Sequence, residues 1–393
     1  MSTSNVRTAA LLAVLAAGGL PLALNEWNRL LQRRGSEARA MAFATTAEAA
    51  RQTGDLDLAA SAFTEAVAAS PDHGLHRERL LDTQVEQLLA GSAQLTPRSA
   101  RRLAAELATA LAGPKAGDAR YTLAMGRLLQ LREQSEPARA LFQKVVERSP
   151  DNAQAQLFLG DAWLKAGKYE DAAVALERAT TLDPKNADAR FALGQTRLFQ
   201  EKFQDAEGLL SEAALTLNRN PVLLRGLGKA QLRLEKFADA VNSLERALTL
   251  DRNLDGVHAL LGEAYANAGK VEAAIGALRV AWEKSQDVNA YRNLGRVLLQ
   301  VGRHAEAVQV FKTLQALDPQ DPEPLIALSM AAQAAGDLES ATLALKRADE
   351  LVSKAADPAV VEQWKKVVDQ RRAGLAQALA GGAAKAARAP KRP

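Results

Sequence analysis

The sequence predicts an all-α solenoid of antiparallel helix pairs, and three observations carry that expectation. Ala138, Ala172, Ala206, Ala240, Ala274, Ala307 and Ala341 recur at intervals of 34, 34, 34, 34, 33 and 34 residues, a period that marks a stack of small supersecondary units. Leu159, Leu193, Leu227, Leu261, Leu294 and Leu328 keep the same phase, each followed by Gly160, Gly194, Gly228, Gly262, Gly295 or Ser329, and Met125 with Gly126 begins the series. Aromatic residues make up only 4% of the chain and alanines abound, which fits close-packed helices, while the near absence of β-branched alternation argues against sheet.

A chain of 393 residues would ordinarily divide into two or three globular domains. A repeat array instead forms one stack whose contacts are between neighbours, so length is a poor guide to domain count here.

Residues 1–7 form a short N-terminal tail carrying Arg7, and residues 8–24 form an uncharged, mostly apolar run. As a helix the run would reach roughly 26 Å, marginal against a hydrocarbon core of about 30 Å. Gly18, Gly19 and Pro21 weaken it further. It is expected to be a transmembrane anchor; the alternative is a signal segment, against which no small-x-small triplet stands just past the run. Arg29, Arg33, Arg34 and Arg39 follow it, which places the body on the cytoplasmic side of an inner membrane. A cleaved signal would make the body periplasmic or secreted instead. Residues 25–39 read as a helical linker, amphipathic and leading into a first repeat at 40–73 built on Gly54, Leu56, Ala59, Phe63, Ala66 and Pro71.

Residues 74–118 leave the 34-residue phase but still read as an irregular pair of helices. Leu80, Leu81, Val85, Leu88 and Leu89 give one apolar stripe. Thr96 before Pro97 caps a second helix that carries Leu103, Leu107 and Leu111 and ends at Gly113.

Residues 119–355 hold seven consecutive repeats. The stretch 153–186 shows the unit: Gln156, Leu159, Gly160 and Trp163 on a first helix, a turn at Gly167, then Tyr169, Ala172, Leu176 and Ala179 on a second helix that stops at Asp183 and Pro184. A hairpin of this kind cannot bury its own apolar face and must stack on others. A small residue is needed where two helix axes cross closely, and Phe142, Leu176, Leu210, Leu244, Leu278, Phe311 and Leu345 supply the bulk opposite. Turns are expected at Gly167, Gly269, Gly302 and Gly336, with Glu133, Glu201 and Glu235 in the same slot elsewhere. Pro150, Pro184 and Pro319 end second helices by removing a backbone donor. Asn218, Arg252 and Gln286 take that slot in other repeats, and one residue is missing from the phase between Ala274 and Leu294.

Residues 356–380 are expected to form a capping helix, with Asp357 and Pro358 at its start and Val360, Val361, Trp364, Val367 and Val368 at helical spacing. Such a cap covers the apolar face that a last hairpin leaves in water. Residues 381–393 contain only Gly, Ala, Pro, Lys and Arg and are expected to be a disordered basic tail. The charges of Lys385, Arg388, Lys391 and Arg392 account for the whole formal net charge of +4, so the body is nearly neutral and nucleic acid is not an expected partner.

This order of Leu-Gly, aromatic, Ala, large apolar, Ala and Pro resembles the tetratricopeptide repeat (TPR) family. The resemblance implies a right-handed superhelix in which first helices line a concave groove for extended or helical peptides.

Chemistry is sparse. There is no cysteine, hence neither disulfide nor thiolate nucleophile. Four histidines are present; His73 and His76 are close enough to share a metal but lack an evident third ligand, so no metal, cofactor or catalytic group is expected. Gly226, Leu227, Gly228 and Lys229 superficially suggest a phosphate loop, yet the repeat phase puts them inside a helix with no strand before them. The chain is therefore read as a binding protein and not as an enzyme.

By the same resemblance the groove positions are Leu157, Leu164, Phe191, Leu198, Phe199 and Leu232 as an apolar floor, with two polar rows above it. Arg225, Lys229 and Arg233 form one basic row at helical spacing, and Asn289, Arg292, Asn293 and Arg296 form the second, with Glu263 between them. These rows suit a protein or peptide partner with an acidic or carboxylate-terminated segment. The competing expectations are that the arginines are solvated or paired with neighbouring carboxylates, and that the chain is a structural component that self-associates. Envelope or membrane complex assembly is the setting that an anchored scaffold suggests.

Overall fold

In the computed structural model residues 20–355 and 358–388 are described, and every regular element among them is an α-helix. The expected anchor at 8–24 lies outside the described residues as far as residue 19, and among the described residues no helix is long and apolar enough to cross a membrane. The described chain falls into two compact units that divide between Lys185 and Asn186.

The first unit opens with α1 (Leu20–Gln52) and α2 (Leu56–Ala69). The expected linker is no separate element: α1 runs without a break from the end of the apolar stretch into the first helix of the repeat, because nothing between Asn25 and Ala40 caps or breaks it. Asp55 caps α2 by accepting from the Leu58 amide at 3.0 Å, and Ala47, Phe63 and Leu80 form its core. Helices α3 (Gly74–Ala90) and α4 (Pro97–Ala112) are the irregular pair. Thr96 caps α4, accepting from the Ser99 amide, with Pro97 in the first turn as expected. Two regular pairs complete the unit, α5 (Ala119–Leu131) with α6 (Ser135–Arg148) and α7 (Ala153–Lys165) with α8 (Tyr169–Leu182).

The second unit contains α9 (Ala187–Phe199), α10 (Phe203–Ala214), α11 (Pro221–Arg233), α12 (Phe237–Leu250), α13 (Val257–Asn267), α14 (Val271–Ser285), α15 (Val288–Gln300), α16 (His304–Leu317), α17 (Pro322–Ala334) and α18 (Leu338–Lys354). A last helix, α19 (Pro358–Arg388), packs on α18 and α17. Val368 and Leu375 carry its buried stripe, and Trp364 is partly buried against the same core. The tail expected to be disordered from residue 381 continues this helix to Arg388, and residues 383–388 are all alanine, lysine or arginine, which are strong helix formers. Asp357, the expected cap, and residues 389–393 lie outside the described residues.

One packing rule generates all seven regular pairs. The periodic alanines are fully buried, and the large residue four positions later points at the first helix of its own pair. Opposite it stands the periodic glycine. A Cβ on Gly126, Gly160, Gly194, Gly228, Gly262 or Gly295 would come within 3.0 Å of Phe142, Leu176, Leu210, Leu244, Leu278 or Phe311 respectively, so only hydrogen fits. Ser329 takes the slot opposite Leu345 and is itself fully buried.

The turns inside each pair require a left-handed residue. Gly167, Gly269, Gly302 and Gly336 supply it at φ 72, 76, 77 and 82°. Glu133, Glu201 and Glu235 adopt the same conformation at φ 60, 58 and 59°, which an L residue does at a cost. Six of the seven first helices begin with a side-chain cap, Asp118, Asn152, Asn186, Asn220, Asp287 and Asp321 each accepting from a first-turn amide, while α13 begins at the left-handed Gly256 with none. The residue missing between Ala274 and Leu294 is absorbed after α14, where Gln286 turns left-handed at φ 53° and Asp287 caps α15 at once. Trp282 and Tyr291 stack across this tight link with centroids 4.2 Å apart.

Candidate functional site

In the second unit the first helices α9, α11, α13 and α15 are in contact as successive neighbours, so residues at equivalent slots form rows across them. Arg225, Lys229 and Arg233 are four apart on α11 and share one face. Two of these three reach forward to the next pair. Arg225 donates from Nη1 to the Asp255 carbonyl at 3.0 Å, and Arg233 donates from Nη1 to Glu263 Oε1 at 2.7 Å. The third, Lys229, lies over the ring of Phe199, its ammonium 5.9 Å from the centroid. Phe199 is 54% exposed, which leaves this ring and the Lys229 ammonium presented together.

The second row divides in the same way. Arg292 is held from three sides: Nη2 stands 3.3 Å from Asp321 Oδ2, Nε 3.2 Å from Glu323 Oε2, and Nη1 donates to Asn289 Oδ1 at 3.0 Å. Asn293 is half-buried. Arg296 is exposed and has no ion pair or hydrogen bond among the described residues. Pairing with neighbouring carboxylates thus accounts for Arg233 and Arg292, and a backbone carbonyl for Arg225. Lys229 and Arg296 remain as cations with no carboxylate partner among the described residues.

The apolar floor differs from expectation. Leu198 is 8% exposed and Leu232 3% exposed, because their slots face the seam between successive first helices, and Leu198 packs with Leu210, Leu223 and Leu227. Phe191 is half-buried beside that cluster, and Phe199 alone of the expected floor in this unit is exposed. Leu157 and Leu164 are half-buried on α7 of the first unit, where Leu157 packs against the cluster of Phe158 and Leu159.

One row escaped the sequence reading. Gln195, Lys229, Glu263, Arg296 and Met330 occupy one slot, and Met330 on α17 is 44% exposed. Extending the 34-residue phase from Arg296 would have found it. The row offers, in order, an amide, an ammonium beside an aromatic ring, a carboxylate already paired to Arg233, a guanidinium and a thioether.

No group of three His, Cys, Asp or Glu among the described residues could hold a metal ion. His73 and His76 stack with centroids 4.1 Å apart, and burial, then the nearby His73, push the His76 pKa down. Gly226 to Lys229 lie inside α11.

A tetratricopeptide repeat model matches residues 8–74, 123–187, 225–287 and 260–322, and a second model of the same description matches 164–230. The chain belongs to the tetratricopeptide repeat family. Similar solved structures include the crystal structure of MamA, 22% identical, which covers 41% of this chain and 95% of that one with a TM-score of 0.37. The APC/C hetero-tetramer Cut9–Hcn1 is 19% identical over 74% of this chain and 55% of that chain, with a TM-score of 0.48. YrrB, described as a TPR protein with an unusual peptide-binding site, is 19% identical over 57% of this chain and 97% of its own, with a TM-score of 0.33. No curated protein matches the chain.

Proposed function

We propose that this protein is a scaffold that holds a protein partner on the first-helix face of its second unit, by an acidic segment recognised through Lys229 and Arg296. The observation that carries this reading is the difference between the two kinds of cation on that face. Arg225, Arg233 and Arg292 are occupied in joining neighbouring pairs, whereas Lys229 and Arg296 are committed to no carboxylate and share their row with the exposed Met330, next to Phe199. A carboxylate from a partner would gain charge-assisted hydrogen bonds there, and its apolar neighbours would cover Phe199 and Met330.

The test is affinity capture from native membrane and soluble fractions with the full chain, comparing wild type with Lys229→Glu plus Arg296→Glu. Arg225 and Arg292 are left alone because their loss would loosen the stack itself. Specific loss of a partner from the folded double variant, with binding regained when the partner's acidic segment is made basic, supports the reading. Identical capture by both forms removes it. Attachment to an inner membrane through the apolar run 8–24, with the body on the cytoplasmic side, belongs to the same proposal and is supported only by the sequence. Extraction of the protein from membranes by alkaline carbonate would remove that part.

A further inference from the structure

The irregular pair leaves a cleft in the first unit. Each regular first helix has a glycine or serine at the crossing, and α1 has the buried Ala47 in that slot opposite Phe63. Between its first residue, Gly74, and its last, Ala90, α3 carries neither glycine nor alanine. The second helix of this pair does not close on it. The link from Gly91 to Thr96 is correspondingly long, and α4 packs mainly on α5 while barely touching α3. Between α2, α3 and α4 there remains a cavity of about 700 Å³ continuous with a second of about 380 Å³, the two sharing Val67, Leu80, Arg102 and Glu106 in their walls. That volume lies in the range of small-molecule sites, which are mostly apolar with a few placed polar groups.

Its walls define what would fit. Val67, Leu80, Leu81, Ala105 and Pro114 make an apolar trough. At its edge Glu78 pairs with Lys115 at 3.1 Å and Glu106 with Arg102 at 2.8 Å, so the acids are neutralised. Arg77 lines the same cavity, is exposed, and has no carboxylate partner among the described residues. The surplus is one positive charge beside an elongated apolar surface. We infer that this cleft binds a small amphipath with a single anionic head, such as a medium-chain carboxylate, its chain along α4 and its head at Arg77.

The experiment is calorimetric titration of the full chain with decanoate and with decanol. Decanoate is expected to saturate one site. Decanol, and decanoate on Arg77→Gln, should bind about fivefold more weakly or worse, the scale of one part-exposed charge contact. Ala105 and Thr109 are exposed and line the trough, so Ala105→Trp should fill it and abolish binding with the thermal midpoint unchanged; Thr109→Trp serves if the first variant is destabilised. Arg347→Gln, on the exposed face of α18 in the other unit, should bind as wild type does. Failure of decanoate to saturate, equal affinity for decanol, or undiminished binding by a folded tryptophan variant would each overturn the assignment.

Discussion

Glycine to alanine substitutions in the second unit should have opposite signs depending on which face of a helix they occupy. At Gly228 on α11 a new Cβ would stand 2.6 Å from Leu244 Cγ, 2.8 Å from Leu244 Cδ2 and 3.3 Å from the Ala240 carbonyl oxygen. Leu244 is fully buried and Cγ is its branch point, so no swing of a flexible end relieves the clash; the two helices must part. Overpacking of this sort costs about 1–3 kcal/mol, against a gain of about 1 kcal/mol from replacing a helical glycine. At Gly276 on α14 a Cβ meets nothing within 4 Å, so only the gain of about 0.5–1 kcal/mol remains. Urea unfolding of the full chain, followed by circular dichroism, should therefore show Gly228→Ala losing roughly 1 kcal/mol and Gly276→Ala gaining a little less. If both variants moved the midpoint in the same direction, the crossing would not be set by the glycine, and the explanation of the 34-residue pattern would fail with it.

Two further predictions concern the turns and the histidine pair. Glu201→Gly and Glu235→Gly should each stabilise by about 1 kcal/mol, because both residues are left-handed at φ 58 and 59° where glycine is unstrained; a decrease in urea midpoint for both would show that the carboxylates have a local role. His76 is buried with its pKa held below the ordinary 6.5 by burial and by His73, so the folded state resists the proton that the unfolded state accepts. Stability should be unaffected by this group above the ordinary value and should fall as pH drops below it towards the depressed folded value. The slope cannot exceed about 1.4 kcal/mol per pH unit for one proton. His76→Phe should flatten the difference in urea midpoint between pH 7.5 and 5.5, and an unchanged difference would refute the assignment.

The repeat phase was legible because its two markers, a small residue and a bulky one sixteen positions later, are parts of one contact: Gly160 with Leu176, Gly228 with Leu244, Gly295 with Phe311. The left-handed turns were equally legible, down to the glutamates in the glycine slot. The face was harder to read. Arg225, Arg233 and Arg292 look free along their own helices, since their partners Asp255, Glu263 and Asp321 are 29 or 30 residues downstream on the next pair. A basic residue followed by an acidic one just short of a repeat length is the signal that would have revealed Arg233 and Arg292, whereas Arg225 is held by a backbone carbonyl, which leaves no such signal. Leu198 and Leu232 were misplaced because a slot at the edge of a first helix turns from groove to seam with a small rotation of the helix. Helix α19 continues past residue 381 through the run 383–388, whose alanine, lysine and arginine residues have high helix propensity.

The gap beside α3 also changes how the first unit holds together. In the second unit each second helix packs both on its own first helix and on the next element along the chain, so it is held from two sides. In the first unit α3 touches α5 directly, and α4 leans on α5 from the side. The column therefore passes from α3 to α5 without needing α4, which is a branch hung on the line, secured by Leu103 and Leu107. A branch can open, exchange its amide hydrogens or be lengthened without disturbing the contact of α3 with α5, a freedom that a second helix wedged between two neighbours lacks.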